Sequence, residues 1–203
     1  MSTIKLIIFD FDGVIEDNYE KHFELTEKRF PGFTREEHKQ LFDGNIFEEL
    51  EKQKHRDTGF DVRIPFNEHK ITLKTKTKIK ESLQRLKKIY LLGIISSAKE
   101  EGLNEYLKRN NLTLEFSFVY GAETNFSKKE KFEIVKKEFH LTEKEIIFVT
   151  DTLGDIKEAH EAGVQTIAVD FGFHERKRLE KGNPLAIVSS FKELEQTINR
   201  LEE

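Results

Sequence analysis

The sequence contains no cysteine. Disulfides, thiolate metal sites and a cysteine nucleophile are therefore excluded. It also lacks a surplus of positive charge. Lys and Arg number 34 against 38 Asp and Glu, a formal net charge of −4. A nucleic-acid partner would call for a basic excess, so none is expected; a local basic pocket for a phosphate-bearing small molecule remains compatible with the balance. Long hydrophobic runs are missing as well. No stretch approaches the roughly 18 apolar residues that span a bilayer. The first residues offer a short apolar run ending at an acid, without a signal-peptide core or cleavage signature. These absences read as a soluble cytoplasmic protein with no membrane partner.

What the sequence does have is enough chain for one large domain, or one domain with a small inserted one: 203 residues. Hydrophobic residues make up 36% of it and include 18 Phe, so phenyl rings are expected to carry much of the core volume. Its most informative stretch is the start. An apolar run from Ile4 to Phe9, interrupted by Lys5, ends abruptly in Asp10-Phe11-Asp12-Gly13-Val14. Two carboxylates two residues apart repel each other and call for a counter-ion. A second acidic pair, Asp151 and Asp155, follows another apolar run, Ile146 to Val149. Two acid-tipped strands point to a divalent metal site.

Six short runs read as strands, at about residues 4–9, 90–95, 116–120, 146–150, 164–169 and 185–188. Most are apolar throughout rather than alternating, as in strands covered on both faces of a parallel sheet. Helical patterns lie between them, at about 75–88, 99–110, 128–139, 153–162 and 174–181, with a last one over 190–202. This alternation predicts an α/β doubly wound domain with a mostly parallel sheet. Thr142 and Glu145 suit a capping box, Gly163 a helix C-terminus, and Asn183-Pro184 a helix stop. Residues 17–74 break the pattern. Tyr19 to Phe30 and Arg35 to Lys54 read as amphipathic helices separated by Pro31-Gly32. A crossover does not need about 60 residues, so the segment is expected to be a mostly helical insertion. The expected domains are a core of residues 1–16 and 75–203 and a helical cap of 17–74. The Lys-rich stretch from Lys70 to Lys88 reads as a solvated helix face.

Ligands of open α/β sheets bind beyond the carboxyl ends of the strands. Asp10 and Asp12 end the first strand, Ser96 and Ser97 the second, and Asp151 the strand after Ile146. Lys128 and Lys129 open the helix before that strand. All are expected on one rim. The set suits phosphoryl transfer: a metal and a lysine neutralise phosphoryl oxygens while a carboxylate attacks phosphorus in line. A second acid protonates the leaving alcohol and then activates water.

With these residues in place the sequence resembles the haloacid dehalogenase-like superfamily of phosphatases. The resemblance rests on Asp10-Phe11-Asp12-Gly13-Val14, Ile94-Ile95-Ser96, Lys128 and Val149-Thr150-Asp151-Thr152-Leu153-Gly154-Asp155, in the family's order and spanning nearly the whole chain. It implies a Rossmann-like core and an aspartyl-phosphate mechanism on a small phosphorylated metabolite. Asp10 would be the nucleophile and Asp12 the general acid/base. Ser96 and Ser97 would meet the phosphoryl group, and Lys128 would hold both the nucleophile and the phosphate. Mg²⁺ would be held by Asp10, the Asp12 carbonyl and Asp151, with Asp155 completing the acidic site either as a direct ligand or by supporting the ligands from behind. The helical insertion is similar to the cap of the phosphoglycolate phosphatase and β-phosphoglucomutase branch, where it closes over the site and selects the substrate.

The sequence departs from the family pattern in three places. Thr150 stands where Gly usually precedes the last acids. The lysine motif lacks its usual proline, and Ser127-Lys128-Lys129-Glu130-Lys131 offers three lysines. Lys128 is preferred over Lys129 because Phe132, four residues on, would face the core. Glu16-Asp17-Asn18 replaces the usual Asp-Ser or Asp-Thr pair.

Blander readings exist for each motif. Asp12-Gly13 is also a turn pair. Asp151, Asp155, Ser96 and Ser97 are also helix N-capping residues, and Lys128 sits in a lysine-rich run. His22, His38, His55, His69 and His140 are expected in polar surroundings. His174 is expected near the rim, and Arg29, Arg35 and Arg56 are possible partners of a substrate carboxylate or second phosphate. Beside the phosphatase reading stand a β-phosphoglucomutase-like mutase and a non-catalytic phosphate-binding module on the same fold.

Overall fold

The apolar runs form the strands of one sheet. In the computed structural model, which describes residues 4–201, β1 (Leu6–Phe9), β2 (Leu91–Ile95), β3 (Phe118–Tyr120), β4 (Ile146–Thr150), β5 (Gln165–Val169) and β6 (Ala186–Val188) pair in the order β3-β2-β1-β4-β5-β6. Every pairing is parallel. The central strands are buried along their whole length because helices cover both faces. Successive side chains point to opposite faces. Ile7 and Phe9 of β1 pack with Leu92, Ile94, Ile147 and Val149 into one core layer. Leu6 and Ile8 join Phe132, Val135 and Phe148 in the other. Each such side chain, fully buried, stabilises the fold by roughly 1.5–3 kcal/mol.

The helices between the strands begin close to where the sequence places them. They are α5 (Thr77–Leu86), α6 (Glu100–Arg109), α7 (Lys128–Phe139), α8 (Leu153–Glu161), α9 (Arg176–Leu179) and α10 (Phe191–Leu201). The Thr142–Glu145 capping box forms. Gly163 and Asn183 take left-handed backbone at the ends of their segments. α9 is shorter than the pattern over 174–181 because a 3-10 turn at Glu180–Gly182 takes over its end. Residues 1–3 and 202–203, included in the expected domain limits and last helix, lie outside the described residues.

Between β1 and β2 the chain forms α1 (Tyr19–Arg29), α2 (Arg35–Gln40), α3 (Ile46–Lys52) and α4 (Arg63–Thr72). The single helix expected over Arg35 to Lys54 is therefore broken. Asn45 starts α3 afresh, its side-chain oxygen accepting from the N–H groups of Phe47 and Glu48 at 3.1 and 3.4 Å. Asp43-Gly44-Asn45 is a turn and cap signal that the helical periodicity masked. α4 starts despite Pro65, which sits in the first turn where its missing N–H costs little. The solvated lysine face is correct for Lys74, Lys76, Lys78, Lys87 and Lys88 but fails at Lys70, which is 1% exposed. No helix among the described residues is long and apolar enough to cross a membrane.

The strand order places the site. The chain leaves β1 for β2 and β3 on one side and returns to β4, β5 and β6 on the other. A crevice opens at such a reversal, beyond the strand ends. Phe9 stands level with Ile94 on one side and Val149 on the other. Asp10 follows Phe9 directly, while Ser96 and Asp151 stand two residues beyond Ile94 and Val149, so the three emerge at the same edge of the sheet.

Candidate active site

Asp10 continues β1, its N–H donating to the Val149 carbonyl at 2.8 Å. One carboxylate oxygen accepts from the Phe11 N–H at 2.7 Å. The other faces the Lys128 ammonium at 2.9 Å. Lys128 is the first residue of α7 and lies 2.6 Å from Asp155 as well. Lys129 points away and pairs with Glu161 on the exposed surface. α7 owes its placement to Glu158 of α8, whose Oε1 accepts from the Lys128 N–H and the Ser127 hydroxyl, both at 3.0 Å. The same oxygen takes the Asn45 amide at 3.1 Å. The helical segment is thus tied to the lysine's own anchor. Thr150, where the family usually has Gly, donates its hydroxyl to Asp155 at 2.6 Å.

Asp151 is fully buried and tightly enclosed. Its Oδ2 accepts from the Phe173 N–H at 2.6 Å. Gly13 passes so close, with φ +81°, that a Cβ there would sit 1.9 Å from the same oxygen. The glycine of the first motif is therefore required twice, for its backbone and for its missing side chain. Ser96 is buried at the end of β2 and lines the same cavity as Asp10, Ser97 and Lys128. Its carbonyl accepts from the buried Lys131 ammonium at 2.6 Å.

Charge is unevenly matched in this cluster. Burial pushes the Asp10 carboxyl well above the usual range, and Lys128 only partly offsets it. Burial raises Asp151 to about 8 against the Phe173 hydrogen bond. Burial would raise Asp155 too, but Lys128 and its hydrogen bonds hold it below the ordinary value. For Lys128, the loss of hydration is more than reversed by Asp10 and Asp155, so its ammonium form is favoured. Lys131, which burial and Lys128 lower to about 8, keeps its ammonium at neutral pH and donates it to the Ser96 carbonyl, so the carboxylates still outnumber the cations. Three buried carboxylates thus face one firmly held ammonium.

Such a surplus suits a divalent cation. Asp151 Oδ1 is buried without a hydrogen-bond partner among the described residues, which is what an oxygen reserved for a cation looks like. Those residues hold no group of three or more His, Asp or Glu side chains close enough to bind a metal by themselves. Asp155 gives its Oδ2 to both Lys128 and Thr150. The donors that fit are the carboxylates of Asp10 and Asp151, with a backbone carbonyl and solvent completing the shell.

Asp12 lies on the cavity wall with Asp10. Asn18 donates to its Oδ1 at 2.5 Å. Lys70 of α4 stands 3.0 Å from both carboxylate oxygens, its ammonium between the rings of Phe11 and Phe66. Neither contact was visible in the sequence. Lys70 reads as one more surface lysine of a lysine-rich stretch, and only its spacing of four from Phe66 hints at an inward face.

His22 and His38 do not sit in polar surroundings. His22 Nδ1 lies 2.9 Å from His38 Nε2, and their rings pack among Tyr19, Phe42, Phe66 and Phe173. Burial holds His22 near 4 and His38 near 2, and the groups facing His38 (His22, Arg35, His174 and Lys39) reinforce the effect. A His with a lowered folded-state value takes up its proton in the unfolded chain first, so stability falls as pH drops below about 6.5. At pH 5 the loss attributable to His38 is roughly 2 kcal/mol. Urea midpoints at pH 7 and pH 5 measure it. A His38→Phe variant with an unchanged pH dependence would contradict the assignment.

His174 is buried away from the cavity. Its Nδ1 accepts from the Leu153 N–H at 3.0 Å, so Nε2 carries the proton and donates to the Lys39 carbonyl at 2.9 Å. It joins core to helical segment, as does the Gly154 N–H donating to Phe42 at 2.8 Å. A Cβ on Gly154 would sit 2.2 Å from the Gly44 carbonyl. Arg29, Arg35 and Arg56 are each taken by a carboxylate, those of Asp57, Glu20 and Glu37. Of the three, only Arg29 reaches the cavity.

The sequence profile of the haloacid dehalogenase-like hydrolases matches residues 7–169. The chain belongs to that family. A phosphoglycolate phosphatase of Synechococcus elongatus is 21% identical over 213 aligned positions, covering 98% of this chain and 99% of that protein. A phosphoglycolate phosphatase of Aliivibrio fischeri is 27% identical over 120 residues, 57% of this chain and 53% of that protein, so the chain matches about half the length of that relative. The solved structure of a haloacid dehalogenase-like family hydrolase from Streptococcus pneumoniae superposes with a TM-score of 0.74 at 19% identity, covering 97% of this chain and 99% of the other. That likeness shows the family's fold, with the strand order described above.

Proposed function

We propose that this haloacid dehalogenase-like hydrolase is a Mg²⁺-dependent phosphatase of a small phosphorylated metabolite. The observation that carries the reading is the pairing of a nucleophile with its counter-charges. Asp10 opens on the cavity, Lys128 stands 2.9 Å from its oxygen, and Asp151 keeps an unpartnered buried oxygen beside it. Asp10 and Asp151, with the Asp12 carbonyl, would hold Mg²⁺, while Asp155 fixes Lys128. When bound, Mg²⁺ would neutralise charge on the phosphoryl group and bring it up to the carboxylate.

Asp10 attacks phosphorus, the ester P–O bond breaks, and Asp12 gives its proton to the leaving alkoxide. Water then attacks the aspartyl-phosphate, Asp12 takes a proton from it, and the Asp10 carboxylate is released. Ser96, Ser97 and Lys128 meet the phosphoryl oxygens. Lys70 and Asn18 orient Asp12 for both steps. The helical segment of residues 17–74 acts as a cap domain on a core of residues 1–16 and 75–203, excluding bulk water during the first step.

The test is phosphate release from nitrophenyl phosphate with and without Mg²⁺, alongside thermal unfolding. Mg²⁺-dependent release and a Tm several degrees higher with Mg²⁺ are expected, since a ligand bound only by the folded state stabilises it. A folded preparation that neither releases phosphate nor responds to Mg²⁺ would leave only a non-catalytic module. Interconversion of sugar phosphate isomers without release would make it a mutase.

A further inference from the structure

The cavity above Asp10 has a volume of about 760 Å³, far more than a two-carbon acid ester fills. Around Asp10 it carries the polar groups of Asp12, Ser96, Ser97 and Lys128, and the helical segment adds the apolar side chains of Phe42, Ile46, Phe47, Leu50 and Phe66. Six of the lining residues are phenylalanine.

Two cations of the helical segment on that wall are already paired. Arg29 is bonded to Asp57 through two nitrogens, at 2.9 and 2.6 Å, and Lys54 is paired with Glu51. Glu123 adds a further carboxylate from the core side. Lys99, from the segment after Ser96 and Ser97, lines the cavity as well. An anionic leaving group such as glycolate would thus face Glu51, Asp57 and Glu123, with Arg29 and Lys54 already paired.

Two of the lining rings touch each other. Phe47 of α3 and Phe126, two residues before Lys128, approach to 4.7 Å between centroids at an angle of 48°. One comes from the helical segment and the other from the core. Phe126 is nevertheless 63% exposed, a large apolar surface that the protein itself leaves uncovered. Asn45 holds the pair together, donating to the Phe126 carbonyl at 3.2 Å. Phe126 lies two residues before Lys128 and lines the same cavity.

Taking the phosphatase reading as its basis, we infer that the substrate is a phosphomonoester whose leaving group is uncharged and carries a planar aromatic or heteroaromatic ring, which packs against Phe47 and Phe126. Offset or edge-on ring packing is favourable beyond the area it buries. Removing such a contact is expected to cost about tenfold in kcat/KM. Phe47 and Phe126 thus set specificity, while Asp10 and its neighbours set the chemistry.

The experiment compares kcat/KM with Mg²⁺ for a nucleoside 5′-monophosphate, 2-phenylethyl phosphate, phosphoglycolate and a hexose phosphate. All four release ordinary alcohols, so binding rather than leaving-group reactivity is read. At least one ring-bearing ester is expected to exceed phosphoglycolate and the hexose phosphate by about tenfold or more. Phe47→Ala and Phe126→Ala should each bring that ratio down toward one, with Phe47→Leu and Phe126→Leu as variants that keep the apolar packing and the fold. If phosphoglycolate or the hexose phosphate is the better substrate, or if the ratio is unmoved in the variants, the ring-binding inference is overturned and the phosphatase reading stands. If none of the four esters, nor nitrophenyl phosphate, is hydrolysed by folded protein, the phosphatase reading fails and takes this inference with it.

Discussion

Asp10→Asn is expected to lower turnover by on the order of 10⁴-fold or more, the scale on which an enzyme loses a nucleophile that no other group can replace. The amide has the shape of the carboxylate and almost none of its nucleophilicity. The fold should survive and even gain. Asp10 is a buried carboxylate whose ionised form is opposed by burial and by the charges of Asp155 and Asp151, so a neutral isostere removes repulsion. Lys128 keeps Asp155 at 2.6 Å as its partner, and the Phe11 N–H keeps an amide oxygen to bond. A Tm at or above that of the wild type, with phosphate release lost and no label transferred to the protein from a ³²P substrate, is the expected outcome. Substantial turnover in a clean preparation would remove Asp10 from its assigned role.

The second large effect is expected at Lys128. Lys128→Met keeps the length and the apolar stem but removes the ammonium that Asp10 and Asp155 share. Breaking a buried ion pair from one side leaves the other charges uncompensated, at a cost of about 3 kcal/mol or more. The dependence on pH identifies the cause. In the wild type, Lys128 holds Asp155 below its ordinary value, so that pairing stabilises at neutral pH and is lost as acid protonates the carboxylate. In the variant both acids would have folded-state values above those of the unfolded chain, and stability would fall as pH rises past about 4. The gap between the two proteins should therefore be widest near pH 7 and close toward pH 4, measured by urea unfolding without Mg²⁺. A gap that is constant with pH would mean that packing, not charge, is what Lys128 supplies. Adding Asp155→Asn to Lys128→Met should restore part of the stability and none of the activity.

Much of this was legible in the linear chain because the signals are local. Each strand is an unbroken apolar run, and each motif acid follows directly on one. Parallel pairing then needs only the register to bring Asp10, Ser96 and Asp151 to the same edge of the sheet. The choice between Lys128 and Lys129 was also local, since Phe132 must face the core and a helix places residues four apart on one face. Even the tolerance of Thr150 has a short-range reason, a hydroxyl that reaches the carboxylate five residues on.

The parts that were misread depend on partners far away in sequence. Lys70 meets Asp12 across 58 residues, and apart from its spacing from Phe66 its own neighbourhood does not distinguish it from the exposed Lys78 of α5. His22 and His38 are polar residues in charged helices, yet aromatic rings from four parts of the chain close around them. Arg29, Arg35 and Arg56 looked free to receive a substrate anion until folding gave each a carboxylate. The break before α3 was signalled by Asp43-Gly44-Asn45, but an apolar period running through it outweighed the turn.

From its order of residues alone this protein acquires a parallel sheet, the rim on which its acids gather and the family to which it belongs, because buried strands and the turns that end them are written in adjacent residues. Which lysine steadies Asp12, how many positive charges the carboxylates must share and what kind of wall faces the leaving group were decided only by the folded chain. Those properties arise from charges and rings brought together across long separations, where burial, not sequence neighbourhood, sets the strength of each contact.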